Sequence, residues 1–286
     1  MKLWLLLSLG VFLFFSCKKD TNVSPGHGTT LNEEIYLDSP YGTDAKQKVD
    51  IYLPKDRSET ATKTVVIIHG GGWTKGDKAD MRFGIDSLKL KLPGYAFINI
   101  NYRLAANNTI NLFPTQENDV KSAIDSYLSK SADYKVSKDL IVMGASAGGH
   151  LALLYSYKYD GGNHVKAVID FFGPTDLVAL WNSGLTQQLI LLSVTGKVYD
   201  QDPDLYIQSG PINFITPQSP PTIALQGGAD PLVPPTQTAL LIAKLQEKSV
   251  VNQLVYYESG GHGDWPLSVY SDAFNKIYSF VTANVH

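Results

Sequence analysis

The stretches TVVII (Thr64–Ile68) and LIVM (Leu140–Met143) carry none of the apolar–polar alternation of a half-buried strand. A strand without alternation is covered on both faces, which is the condition of a parallel sheet packed between helices. Further strands are expected at Ile35–Leu37, Val49–Leu53, Tyr95–Ile100, Val165–Phe172, Thr222–Gln226 and Val251–Glu258, the first two joined through Tyr41-Gly42. Apolar residues at helical spacing mark Pro114–Lys130, Ala147–Tyr159, Pro235–Lys248 and Ser268–Ala283 as helices. Strands alternating with helices define the α/β class, a mostly parallel sheet with helices on both faces. With no internal repeat and no second composition regime, residues 33–286 read as one domain. One segment breaks the rhythm. Between Asp176 and Pro220 an apolar half, Leu177–Val194, is followed by a loop-like half. It is long for a connection, and it is expected to form a small cap insertion.

The totals narrow the function. A chain with 44% hydrophobic and 18% charged residues can build a large core, and its net charge of −3 gives no attraction for nucleic acid. No basic patch, zinc-type Cys/His spacing or phosphate-binding glycine loop is present. Neither nucleic acid nor a metal or other cofactor is expected.

At the N-terminus Lys2 precedes the apolar run Leu3–Phe15, followed by Ser16, Cys17, Lys18 and Lys19. The run is too short to cross about 30 Å of bilayer hydrocarbon and has the form of an export signal. LFFSCKKD resembles the signal end of a bacterial lipoprotein. That resemblance implies a signal peptide over residues 1–17, in which Cys17 becomes the lipidated first residue of the mature chain. Membrane contact would then come only through this N-terminal lipid, at the outer membrane or cell surface of a Gram-negative bacterium. Residues 18–32, rich in Gly, Ser, Thr and Pro over Thr21–Thr30, read as a flexible tether. The chain has a single cysteine, so no internal disulfide can form.

The junction between LIVM and the following helix carries GASAG, Gly144 to Gly148. A serine between two glycines on a strand-to-helix turn has the form of a nucleophile elbow, and Ser146 is the candidate nucleophile. A serine hydroxyl needs a base to take its proton. Of the six histidines, His27 lies in the tether and His286 at the terminus, while His164 follows a polar GGN turn. His150 sits one turn into the helix after the elbow, where packing or a local hydrogen bond is expected. His262, in the glycine-rich loop ESGGHGDW after the strand VNQLVYYE, is the candidate base. Its orienting carboxylate is expected to be Asp230, in ALQGGADPLVP, with Asp264 and Asp176 as rivals. The loop HGGGW after Thr64–Ile68 can turn backbone N–H groups toward a substrate oxyanion. Gly71 and Gly72 are the expected donors, joined by the N–H of Ala147, with Trp73 N–H as a further possibility. His69 is expected to hold this loop by hydrogen bonds.

Taken in order, HGGGW, GASAG, GGADP and GHG resemble the motifs of the α/β-hydrolase superfamily, and INYRL and FFGPTDL recur in such sequences. Within it, the chain resembles hormone-sensitive-lipase-type esterases and acetyl-xylan or feruloyl esterases. The resemblance covers Val49 to the C-terminus. It implies a serine carboxylesterase using Ser146, Asp230 and His262 on a small-molecule or glycan ester. There is no long helical cap before HGGGW of the kind lipase-type members carry, so short acyl groups are expected. The rival activities are amide hydrolysis, of formamidase or prolyl-oligopeptidase type, and lipase action on longer acyl chains. A non-catalytic binding protein on the same fold is a third alternative.

Overall fold

The computed structural model describes residues 31–286. The proposed signal peptide, Cys17, His27 and most of the tether lie outside them. The strands are β1 (Glu34–Pro40), β2 (Lys48–Leu53), β3 (Thr64–Ile68), β4 (Ala96–Ile100), β5 (Leu140–Ala145), β6 (Val165–Phe171), β7 (Thr222–Gly227) and β8 (Asn252–Tyr257). They form one eight-stranded sheet in the order β1-β2-β4-β3-β5-β6-β7-β8. The pairings β1–β2 and β2–β4 are antiparallel, and every later pairing is parallel.

The absence of alternation in β3 and β5 has the expected cause. Val66, Ile68, Leu140 and Val142 enter one core, while Val65, Ile67, Ile141 and Met143 enter a second core on the other face. Helices α1 (Arg82–Lys91) and α8 (Leu267–Asn284) cover the second face through Ile85, Leu88, Phe274 and Ile277. The first face is covered by α2 (Thr115–Ser129), α3 (Ala147–Leu154) and α7 (Thr236–Glu247), which contribute Ile124, Leu151 and Leu241. Edge strand β1 is different, with Ile35 and Leu37 more than half exposed.

Three local features go beyond the sequence pattern. Helix α1 escapes the sequence pattern because its apolar residues do not share one face: Leu90 is 85% exposed and Phe83 is 50% exposed. The helix expected over Ala147–Tyr159 is α-helical only to Leu154 and widens into a π-turn at Tyr155–Tyr159. Ser156 Oγ donates to the Ala152 carbonyl there, at 2.7 Å, and such inserted bonds accompany helix distortion. The cap segment is not one apolar helix but three short ones: α4 (Leu177–Trp181), α5 (Leu185–Thr195) and α6 (Pro203–Gln208). Asn182, Ser183 and Gly184 interrupt the run, and Asp176 starts α4 by accepting from the N–H groups of Val178 and Ala179.

Asp170, near the end of β6, is fully buried. Its Oδ1 accepts from the Gly173 N–H at 2.9 Å, while Oδ2 has no partner. Burial pushes its carboxyl up to about 7. The folded chain therefore holds a proton here that the unfolded chain, with an ordinary Asp near 3.9, has already lost. Between about pH 4 and 7 the native state binds more protons, so this group's contribution to stability falls as pH rises. Urea denaturation of wild type and Asp170→Asn is expected to show wild type losing stability relative to the variant between about pH 5 and pH 8. A stability difference independent of pH would show that Asp170 is ionised in the fold.

Candidate active site

The sequence-predicted catalytic and oxyanion-hole residues lie just past the carboxyl ends of parallel strands, the edge where ligands bind in open α/β sheets. Ser146 follows β5, the glycine loop follows β3, Asp230 follows β7 and His262 follows β8.

Ser146 is held at φ 55° and ψ −122°, a conformation that costs a non-glycine residue free energy and persists only where its surroundings impose it. The two flanking glycines are the means. A Cβ on Gly144 would sit 2.1 Å from the Gly148 carbonyl oxygen, and one on Gly148 would sit 2.2 Å from the Ile68 carbonyl oxygen. The turn is therefore pressed against itself and against the end of β3. Ser146 N–H donates to the Phe171 carbonyl at 2.8 Å, which ties the turn to β6 as well.

Ser146 Oγ is 2.8 Å from His262 Nε2, and His262 Nδ1 is 2.7 Å from Asp230 Oδ2. These partners assign Nδ1–H as donor to the carboxylate and leave Nε2 to accept the serine proton. The Asp230 side chain is fully shielded, whereas that of His262 keeps 16% exposure. Asp230 Oδ1 accepts from the N–H groups of Leu232 and Val233, both at 2.9 Å. The two rivals are elsewhere: Asp176 caps α4, and Asp264 is exposed.

The glycine loop abuts the elbow, since a Cβ on Gly70 would lie 2.8 Å from the Ala145 carbonyl oxygen. Gly71 and Gly72 have φ of +102° and +58°. Trp73, a bulky residue, also has positive φ, at 59°. Its indole N–H donates to His150 Nδ1 at 3.3 Å, and its carbonyl accepts from the Ala105 N–H at 3.0 Å. His150 completes the clamp by donating from Nε2 to the Ser209 carbonyl at 2.7 Å. Burial lowers its pKa to about 4, so it stays neutral and can both accept and donate. His69 contacts the Gly70 carbonyl through Nδ1 at 2.8 Å and stacks on Tyr102. Among the described residues, the N–H groups of Gly71, Gly72, Trp73 and Ala147 donate to no protein acceptor. His164 donates from its backbone to Asp160, and His286 is exposed.

Three residues important to the geometry are absent from the sequence reading. Gln226 Nε2 contacts Asp230 Oδ2 at 3.4 Å and the carbonyls of Gly227 and Val233, while its Oε1 accepts from Thr238. Its signal was a polar side chain at the end of the apolar strand TIALQG. The Phe172 ring lies against His262, centroid to centroid 4.7 Å, and its backbone has φ of 44°. Tyr270 OH donates to the Gly263 carbonyl at 2.6 Å and steadies the far side of the His262 loop. Neither contact has a local sequence signal.

The Ser146 and His262 side chains open into a cleft of about 510 Å³. Its lining includes the glycine loop and the apolar residues Leu180, Ile190, Leu232 and Val233. Helix α5 is pinned over it because Gln187 Nε2 donates to the carbonyls of Pro231 and Leu232 at 3.0 and 3.2 Å. Among the described residues, no group of three or more His, Cys, Asp or Glu side chains is arranged to hold a metal ion.

Comparison with known proteins agrees with this architecture. Esterase LipC of Mycobacterium tuberculosis is 26% identical over 243 residues, which are 78% of this chain and 58% of LipC. Esterase LipQ of the same organism is 28% identical over 224 residues, 73% of this chain and 52% of LipQ. The chain thus spans little more than half the length of these curated relatives. Among solved structures, a bifunctional GH43-CE protein of Bacteroides eggerthii superposes with a TM-score of 0.75 at 27% identity, covering 88% of this chain and 38% of that one. A truncated carbohydrate esterase from gut microbiota gives a TM-score of 0.71 at 25% identity, covering 86% of this chain and 96% of that one. The fold is that of the α/β-hydrolases. The BD-FAE family model matches residues 49–245, from β2 through most of α7 and including the glycine loop, the Ser146 turn and Asp230, and the chain belongs to the BD-FAE family.

Proposed function

We propose that the protein is a serine carboxylesterase acting on short-acyl esters, among them acyl groups carried by carbohydrates. The observation that carries this reading is the unbroken contact from Ser146 Oγ through His262 to Asp230, at 2.8 and 2.7 Å, opening into the cleft. Ser146 Oγ attacks the ester carbonyl carbon while its proton passes to His262 Nε2. The buried Asp230 carboxylate holds the tautomer and stabilises the imidazolium. The tetrahedral oxyanion takes hydrogen bonds from Gly71, Gly72 and Ala147 N–H, which are already free to donate; one such donor is worth roughly 10²–10³ in rate. Collapse expels the alcohol with the proton from His262. Water then attacks the acyl-enzyme by the same route and releases the acid. The carbohydrate preference is supported by the likeness to a truncated carbohydrate esterase, 96% of whose chain is covered.

Ser146→Ala is expected to abolish turnover of p-nitrophenyl acetate while leaving the circular-dichroism spectrum unchanged. Asp230→Asn is expected to keep the fold and lower kcat by about 10⁴, because an amide favours the wrong histidine tautomer. More than a tenth of parental activity in Ser146→Ala would remove the serine mechanism. A larger loss in Asp264→Asn or Asp176→Asn than in Asp230→Asn would reassign the acid.

Acyl length follows from the cleft. Each methylene buried in an apolar tunnel would add about 0.8 kcal/mol of binding, so a tunnel would favour octanoate over acetate by several kcal/mol. Instead, α5 is tied across the apolar side through Gln187. Catalytic efficiency is expected to be greatest for acetyl to butyryl p-nitrophenyl esters and to fall beyond hexanoate. A steady rise through octanoate and laurate would identify a lipase.

We also propose that Cys17 carries a lipid that anchors an exported enzyme to the outer membrane or cell surface. In a Gram-negative host, labelled palmitate is expected to enter the wild-type protein and not Cys17→Ser, which would leave the membrane fraction. Equal labelling of both would refute the anchor.

A further inference from the structure

The charge lining the cleft is one-sided. Among the described residues that line it, Lys75 is the only Asp, Glu, Lys or Arg. It is exposed, and among the described residues its ammonium forms no ion pair. The neighbouring carboxylates are otherwise engaged. Asp77 meets Lys46 at 3.4 Å and accepts from Asn101, and Asp80 accepts from the Asp77 N–H. Asp230 is shielded and committed to His262. Asp264, on the His262 loop, is exposed but does not line the cleft. Burial lowers the pKa of the nearby His69.

The backbone that carries this cation is held by the glycine loop itself. Lys75 N–H donates to the Gly71 carbonyl at 3.0 Å, and a Cβ on Gly71 would lie 2.3 Å from the Lys75 carbonyl oxygen. Lys75 therefore rises from the same turn that carries the N–H groups of Gly71 and Gly72. The apolar residues Leu180, Ile190, Leu232 and Val233 form another part of the lining. A small neutral acyl group gains by burial against such a surface, whereas the bulky alcohol half must leave through the open, solvated part of the cleft. Lys75 is an exposed member of the lining.

We propose that Lys75 selects esters whose alcohol half bears a carboxylate, the class being O-acylated acidic sugars of uronic-acid type. The inference rests on the esterase reading above. An ammonium at a solvated rim gains modestly from a carboxylate, and the gain is screened by salt.

The test compares kcat/KM for an acetylated methyl glucuronoside with that for the equally acetylated methyl glucoside. Wild type is expected to favour the acidic substrate about fivefold at low ionic strength, with the preference shrinking in about 1 M salt. Lys75→Gln is expected to bring the ratio to about one, and Lys75→Glu to invert it. A wild-type ratio of one, or a ratio unchanged in Lys75→Gln, overturns the proposal. So does an equal loss on both substrates, which would indicate only a structural role. A second arm uses p-nitrophenyl hemisuccinate against p-nitrophenyl butyrate. A Lys75-dependent preference confined to the hemisuccinate would place the anion on the acyl half and refute the alcohol-side assignment. Ser146-dependent turnover of p-nitrophenyl acetate by wild type separates the two failures: its absence sinks the esterase reading, whereas its presence without a charge preference sinks only this one.

Discussion

The end of β3 and the turn after β5 approach so closely that no side chain fits between them. A Cβ on Gly148 would lie 2.2 Å from the Ile68 carbonyl oxygen, backbone against backbone, with no flexible group to move aside. This contact brings the glycine loop and the Ser146 hydroxyl into one site. It also holds Ser146 at positive φ, since the strained turn has no room to relax. Parallel pairing of β3 with β5, in register from Thr64 with Leu140 to Ile68 with Gly144, delivers both loops to the same height above the sheet.

Around that contact the polar groups form two separate supports. His150 joins Trp73 of the glycine loop to the Ser209 carbonyl beside the cap segment. It can do so only as a neutral imidazole, one nitrogen accepting and the other donating, and complete burial favours that form. Gln226 and the N–H groups of Leu232 and Val233 hold Asp230, so the carboxylate reaches His262 already oriented. Phe172 and Tyr270 steady the histidine and its loop from the other side. The cost of these buried polar groups is offset by mutual satisfaction, with Asp170 Oδ2 an exception.

Much of the site was legible in the sequence because its chemistry is written in local patterns. Ser146 stands between glycines at a strand-to-helix junction, and His262 and Asp230 stand in glycine-bearing loops after apolar strands. The strands themselves were clear for the same reason: burial on both faces removes polar alternation, a property of each run alone. Helix α1 was not legible. Its exposed Phe83 and Leu90 blur the helical face, and it is held by packing of Ile85 and Leu88 against the sheet.

What the sequence by itself determined, then, was the α/β class, the succession of the strands along the chain and the residue types available for chemistry, all set by short-range periodicity and turn stereochemistry. Which carboxylate meets the histidine was decided only in three dimensions. Asp264 is two residues from His262 but makes no hydrogen bond with its ring, whereas Asp230, 32 residues away, is 2.7 Å from it. His262 in turn meets a serine 116 residues distant. Such distances depend on strand order and loop packing, which no local pattern encodes. The same holds for the cap: α4 and α5 contribute residues to the cleft lining, and the Gln187 tie that pins α5 exists only once β7 has carried Pro231 and Leu232 beside it.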